Sequence, residues 1–525
     1  MNITLITEKI RPFKDQLADF FKLLDDGSSN DLQMANELIE QIKIPKDELF
    51  DQCGVDNYGK LVRSQKLKGN STTEPIINYL IANQLSIAPA GSRGAEIRKN
   101  ITHLYLPLSK PVLIDGFSEL KDFSLFLGPN FKADDLSWLG SLPNLKKFSI
   151  DYSVSINSTE LPILNSLNGL KIPNVTNLSL RVPGMIDISA LSDALNLIEI
   201  RFSACRDLRD LKPISKLSKI EKLAILSCPD IDDLSPLKDL NNIKSLMIQY
   251  SNSIHSLAPA GEFPLLEHLD LNGNANLTDL DFSCELPKLL EAVVGGENLQ
   301  FINGLRKAPV LSKLHIHNFK LKSIEPLVAC TALERLGLSS IDIAPLRKIS
   351  SLRSLWLNLS RDDVPIDLTH LSELKSLTSL EIIGPSPSAK NQVSYDWLGN
   401  LTALMDLKIK QAKALIDLSF SKSLTELQSI EIYKCDKLVN ISGLEKHPSL
   451  NSIHLRDCNG VCNLTALSTI PNLSTIRIED CEGVKDLEPL VTLSTLKTLT
   501  IQGLSTRIKG LKKLKENKNL NIEKY

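Results

Sequence analysis

From Leu427 onward apolar positions return every 23 residues: Leu427-x-x-Ile430-x-Ile432-x-x-Cys435, Leu450-x-x-Ile453-x-Leu455-x-x-Cys458, Leu473-x-x-Ile476-x-Ile478-x-x-Cys481, then Leu496-x-x-Leu499-x-Ile501. Within each unit the fourth and sixth positions alternate with polar neighbours, which is the period of a strand, so their side chains share one face. No single unit can bury that face, but units stacked side by side can. The template extends backward through first positions at Ile101, Leu120, Leu145, Val175, Leu197, Ile220, Ile243, Leu266, Leu289, Leu311, Leu333, Leu352, Leu377 and Leu404, eighteen repeats in all. Most are 23 or 22 residues apart. Departures cluster between Ile101 and Val175 and between Leu333 and Leu404, where irregular turns are expected.

After each strand the apolar period changes to three, as in Ile231, Leu234, Leu237, Leu240 and in Val484, Leu487, Leu490, Leu493. That period suits short 3-10 turns better than long α-helices. Pro236, Pro326, Pro345 and Pro489 stand in DLSPL, SIEPL, DIAPL and DLEPL segments, where a fixed φ starts such a turn. The ninth position of the strand template should be buried at the turn out of the strand. Asn274 occupies it once, and Cys205, Cys228, Cys435, Cys458 and Cys481 occupy it elsewhere, which makes these thiols packing groups.

On these residues the chain resembles leucine-rich repeat proteins over residues 99–506. Its DLSPL segments are similar to internalin-type bacterial repeats, and its cysteine-bearing ninth positions to those of plant intracellular resistance receptors. The resemblance implies an α/β solenoid, a horseshoe with one short parallel strand per repeat along a concave side. It also implies a non-catalytic scaffold that recognises a partner protein through that side. A second reading is a bacterial effector or ligase-like regulator in which the repeats select the target and another part acts.

Residues 1–98 do not follow the repeat. Ile10, Phe13, Leu17, Phe20 and Leu24 recur at helical spacing, the chain breaks at Asp25-Asp26-Gly27-Ser28-Ser29, and Leu32, Ala35, Leu38, Ile39 and Ile42 resume the period before Pro45. A third helix is expected from Pro75 through Ile81, then an APAGSRG linker at 88–94. This helical region reads either as a cover for the open first edge of the solenoid or as a separate adaptor module. At the other end RIKGLKKLKENK interleaves Leu511 and Leu514 with Arg507, Lys509, Lys512, Lys513, Lys515 and Lys518. Residues 507–525 therefore read as a basic C-terminal cap, with a membrane-surface or nucleic-acid patch as the alternative. Leu520 and Ile522 fit one last partial strand.

A net charge of −2 supplies no general attraction for nucleic acid or anionic lipid, so neither is expected as a partner. No stretch is long and apolar enough for a membrane span, and the opening MNITLITEKIRPFK lacks the long apolar run of a Sec-type signal. The expected location is the cytoplasm, or outside the cell as an effector secreted without such a signal. Nine cysteines form no C-x-x-C pair, and neither a P-loop, G-x-S-x-G nor H-E-x-x-H occurs. Cys53 could serve as a nucleophile only without any family-specific surround, and a buried thiol is the plainer reading. Catalysis and cofactors are not expected; the oligomeric state stays open.

The candidate surface is the outward side of the strands, at the fifth and seventh positions. Its candidate partner-binding residues are Met247, Asp270, His315, His317, Trp356, Lys408, Lys410, Glu431, Tyr433, His454, Arg456 and Arg477. Trp, Tyr and Arg are the usual interface anchors. His315 and His317 share a face at a spacing that can hold a metal, with His268 as a third ligand, although histidines in a polar ladder need no metal. The plain alternative for the whole ladder is a solvated face that binds nothing.

Overall fold

The computed structural model describes residues 53–55, 61–63, 103–108, 111, 117–128, 131–152, 161–282, 284–317, 320–339, 342–359, 367–384, 395–504 and 508–524. Two compact units divide the chain: residues 1–253 with 259–261, and residues 254–258 with 262–525. The first unit carries seven parallel strands, His103–Leu108, Asp122–Leu127, Lys147–Tyr152, Asn177–Leu180, Glu199–Ser203, Lys222–Leu226 and Ser245–Gln249. The second carries twelve: His268–Leu271, Glu291–Gly295, Lys313–His317, Arg335–Ser339, Ser354–Asn358, Ser379–Ile383, Asp406–Lys410, Ser429–Tyr433, Ser452–Arg456, Thr475–Glu479, Thr498–Gln502 and Asn521–Lys524.

The register is one repeat per strand. Leu223 lies opposite Leu246 and Ile225 opposite Ile248 in the first unit; Ile430 lies opposite Ile453 and Ile432 opposite Leu455 in the second. All of these are buried, together with Leu269 and Leu271. Fourth and sixth positions thus form two apolar rows that run from strand to strand, the arrangement the strand period requires. This is the leucine-rich repeat solenoid that the sequence implies.

The return segments are 3-10 turns, among them Ser235–Leu237, Glu325–Ala329, Ala344–Lys348 and Glu488–Thr492, each with its proline at the start. Proline has a partner in this task. Asp233 Oδ1 accepts the Ser235 N–H at 2.8 Å, and Asp342, Asp417, Asn440, Asn463 and Asp486 do the same for the residue two places on. Each such side chain satisfies a backbone donor that the turn leaves unpaired.

Between strand and return the backbone takes a left-handed step at the eighth position. Ala204, Ser227, Tyr250, Gln411, Lys434, Asp457 and Asp480 all hold φ between 51° and 58°, where glycine, as at Gly273 and Gly503, is the easy choice. The ninth side chain then turns inward. Cys205, Cys228, Cys435, Cys458 and Cys481 are fully buried free thiols, and Asn274 Nδ2 donates to the Leu271 carbonyl at 2.9 Å. Successive ninth positions also touch: Cys228 N–H donates to Ser251 Oγ at 3.3 Å and Cys458 N–H to Cys481 Sγ at 3.4 Å.

At the far end Leu511–Glu516 is an α-helix with Leu511 and Leu514 buried, and Asn521–Lys524 pairs in parallel with Thr498–Gln502. Two of the basic residues there are committed: Lys513 reaches Glu488 at 3.0 Å and Lys509 reaches Asp486 at 3.1 Å and Glu488 at 2.8 Å. Within residues 1–98 only two short antiparallel strands are described, Cys53–Val55 and Leu61–Arg63, which the helical reading did not include. The three expected helices and the 88–94 linker lie outside the described residues, as does Arg507. So do 360–366 and 385–394, inside one of the two stretches expected to be irregular.

Candidate interaction face

With fourth and sixth positions inward, the third, fifth and seventh point outward, and the register stacks them into columns. In the second unit the fifth-position column runs Asp270, Val293, His315, Gly337, Trp356, Glu381, Lys408, Glu431, His454, Arg477, each opposite the next. The seventh-position column carries His317, Lys410, Tyr433, Arg456 and Glu479 on the same side. Eleven of the twelve candidate residues therefore share the second unit's outward face. Met247 belongs to the first unit, opposite Ala224.

One cluster gathers around Gly337. The His315 and His317 rings lie 4.0 Å apart between centroids, and Trp356 lies 5.1 Å from His315 and 6.3 Å from His317. A Cβ on Gly337 would stand 2.6 Å from His315 Nδ1, so the imidazole leans across the strand that carries the glycine. Burial, and secondarily the charge of His317, hold the His315 pKa below the ordinary imidazole range. Its Nε2 is buried without a hydrogen-bond partner. His268 does not join the pair: its Nδ1 faces Glu291 Oε2 at 3.7 Å, and no group of three metal-ligating side chains occurs among the described residues.

A second cluster is organised by Glu479, whose side chain is only 6% exposed. Arg477 Nη2 lies 3.1 Å from Oε1, Arg456 Nε 3.8 Å from Oε2, and His454 Nε2 3.3 Å from Oε2 without the alignment of a hydrogen bond. A carboxylate this enclosed persists because cations surround it. Arg456 also lies over the Tyr433 ring at 5.4 Å, with Lys434 at 5.1 Å. The guanidinium is thereby held by a carboxylate and an aromatic face, while 46% of its side chain remains exposed. Lys408 pairs with Glu431 at 3.1 Å and Lys410 with Glu381 at 2.8 Å. Pairs at the surface, these two only partly exposed, stabilise by about 0–1 kcal/mol, so they fix side-chain positions more than they hold the fold.

The third-position column is a surface that reading only the fifth and seventh positions missed. Lys313 bonds Glu291 there, and Arg335 stands beside them, exposed. The strict alternation of the strand would have found these residues. With His315, Gly337 and Trp356 they line a shallow depression of about 290 Å³.

No family model matches the sequence, and no curated protein matches it. Solved structures resemble its fold. An internalin from Listeria monocytogenes is 20% identical, with 79% of this chain and 89% of that one covered at a TM-score of 0.37. A leucine-rich repeat protein from Leptospira interrogans is 15% identical over 82% and 92%, at 0.42. A chain of the mouse RP105/MD-1 complex is 18% identical over 82% and 80%, at 0.49. The fold assignment itself stands on this chain's own repeats and strands.

Proposed function

We propose that this chain, a leucine-rich repeat protein by its repeats and its one strand per repeat, is a non-catalytic scaffold that recognises a partner protein. The surface it uses is the outward strand face of the second unit. The observation that carries this reading is the Tyr433–Arg456–Glu479 arrangement: a partly exposed guanidinium over a partly exposed aromatic ring, with a buried carboxylate 3.8 Å from the guanidinium. Side chains already fixed before association lose less conformational entropy when they dock, which is what an anchor needs. Trp356, three strands from Tyr433, adds rigid apolar area on the same face.

The buried thiols support a packing role over nucleophilic chemistry. Burial pushes Cys330 up to about 11 and Cys435 up to about 12, so thiolate is scarce on both near neutral pH, and in each hydrogen-bonded pair one thiol is raised (Cys228, Cys458) while its partner (Cys205, Cys481) is lowered by accepting from it. Free thiols in this number fit a reducing compartment, and the cytoplasm is the proposed location. Among the described residues no helix is long and apolar enough to cross a membrane.

The test begins with recovery of a partner by pull-down on the intact chain. Replacing Trp356, Tyr433 and Arg456 singly by Ala should then weaken binding by about 1–3 kcal/mol each, with thermal melts unchanged for Trp356→Ala and Tyr433→Ala and lowered for Arg456→Ala, which takes a cation from the buried Glu479. Unaltered affinity in all three variants would remove the second unit's strand face from recognition.

A further inference from the structure

In the second unit's fifth-position column Gly337 stands between His315 and Trp356. A notch of about 290 Å³ lies over this stretch, lined by His315, whose ring leans over Gly337, by Trp356, Lys313 and Arg335, and by the Glu291 carboxylate that Lys313 bonds. Its two rim cations differ. Lys313 is bonded to Glu291, which His268 also approaches. Arg335 is exposed and makes no ion pair among the described residues; only its field reaches Glu291. An uncommitted guanidinium beside a half-buried indole is complementary to a carboxylate on a short hydrocarbon stem.

Size decides what brings that carboxylate. Pockets that enclose small molecules run to roughly 300–1,000 Å³ and bury most of the ligand, whereas this notch is at the lower edge and open on one side. It suits one side chain presented by a larger surface. The overall charge of −2 gives no general pull on a polyphosphate chain.

We propose that the notch over Gly337 receives one acidic side chain of the protein partner, its carboxylate paired with Arg335 and its stem lying on Trp356. This rests on the reading of the strand face as the partner surface and adds the chemistry of the residue recognised there.

The probe is a random-peptide display library panned on the full chain. Wild type should enrich peptides bearing Asp or Glu beside an apolar residue. Their binding should fall about tenfold with Trp356→Ala or with Gly337→Leu, whose side chain must push the His315 ring into the notch. Arg335→Glu should shift the selected residue from acidic to basic, an outcome that general loss of structure cannot imitate. If Gly337→Leu melts early, Arg335→Glu and Trp356→Ala carry the test. A selection that enriches no acidic peptide overturns the proposal, as do acidic peptides that bind Arg335→Glu as they bind wild type. Acidic peptides that depend on Tyr433 and Arg456 but not on Arg335 would leave the strand face standing and remove the notch. Peptides indifferent to both sets would remove both. Single-stranded RNA bound by wild type and lost with Arg335→Glu would assign the notch to phosphate and overturn the proposal as well.

Discussion

The two units bury the same rows and show different faces. In the first, the fifth-position column runs from Tyr105 through Ser124, Ser149, Ser179, Arg201, Ala224 and Met247, small from Ser124 to Ser179, with Ser149 donating to Ser124 Oγ at 2.8 Å, and one guanidinium, Arg181, lies 3.6 Å from Asp151 and 5.1 Å over the Tyr152 ring. In the second, the corresponding column holds His315, Trp356, Glu381, Lys408, Glu431, His454 and Arg477, and its neighbours include Tyr433 and Arg456. Inward, Leu223 and Ile225 of one unit do the work that Ile430 and Ile432 do in the other. A repeat scaffold can therefore keep its core constant while the outward columns diverge, and the proposed recognition is assigned to the columns.

The strongest way to break that comparison is to cut the rows themselves. Ile225→Ala and Ile432→Ala each remove a fully buried branched side chain, and each should cost about 2–5 kcal/mol in denaturant unfolding. If one unit tolerates the change and the other does not, the two cores are not equivalent. Outward substitutions should separate the units instead. Trp356→Ala, Tyr433→Ala and Arg456→Ala should weaken partner binding by about 1–3 kcal/mol each, while Ser149→Ala and Ser179→Ala leave affinity within about 0.5 kcal/mol.

A smaller effect sharpens the core side of the comparison in the second unit. His447 is buried, with Nε2 at 2.9 Å from the Leu424 carbonyl and Nδ1 accepting the Leu450 N–H at 3.2 Å. Burial pushes its pKa down against the opposing carbonyls, so the folded chain resists protonation that the unfolded chain accepts near pH 6.5. Its contribution is fully present above that pH and is lost as pH falls through the depressed folded value. Unfolding measured from neutral to acidic pH should show stability falling across that window, and His447→Gln should flatten the slope. An equal slope in the variant would assign the acid sensitivity elsewhere. Smallest of all, Lys238→Ala on the return side should change neither binding nor melting by more than about 0.5 kcal/mol.

The inward rows were legible because Leu and Ile recur at fixed offsets and only a strand satisfies them, and the 3-10 return was legible from its period of three. Asp233, Asp342 and Asp486, each three residues before its proline, carry the same turn signal and are as visible in the sequence. The left-handed eighth position was hidden, since Ala204, Ser227 and Lys434 carry no local mark of positive φ and adopt it because the stacked neighbours hold them there. On the outward face the columns followed from the register, and the pairing of Trp356 with His315 did not. It depends on a ring leaning over Gly337, three-dimensional packing that spacing along one chain does not encode.

The most direct test of the whole account is equilibrium binding of the pulled-down partner to Tyr433→Ala and Arg456→Ala on one side and to Lys238→Ala and Ser179→Ala on the other, each with its thermal melt. The account predicts affinity losses of about 1–3 kcal/mol confined to the first pair, with the melts of Tyr433→Ala, Lys238→Ala and Ser179→Ala matching wild type and that of Arg456→Ala falling because Glu479 loses a cation. Full affinity in the first pair together with loss in the second would contradict it.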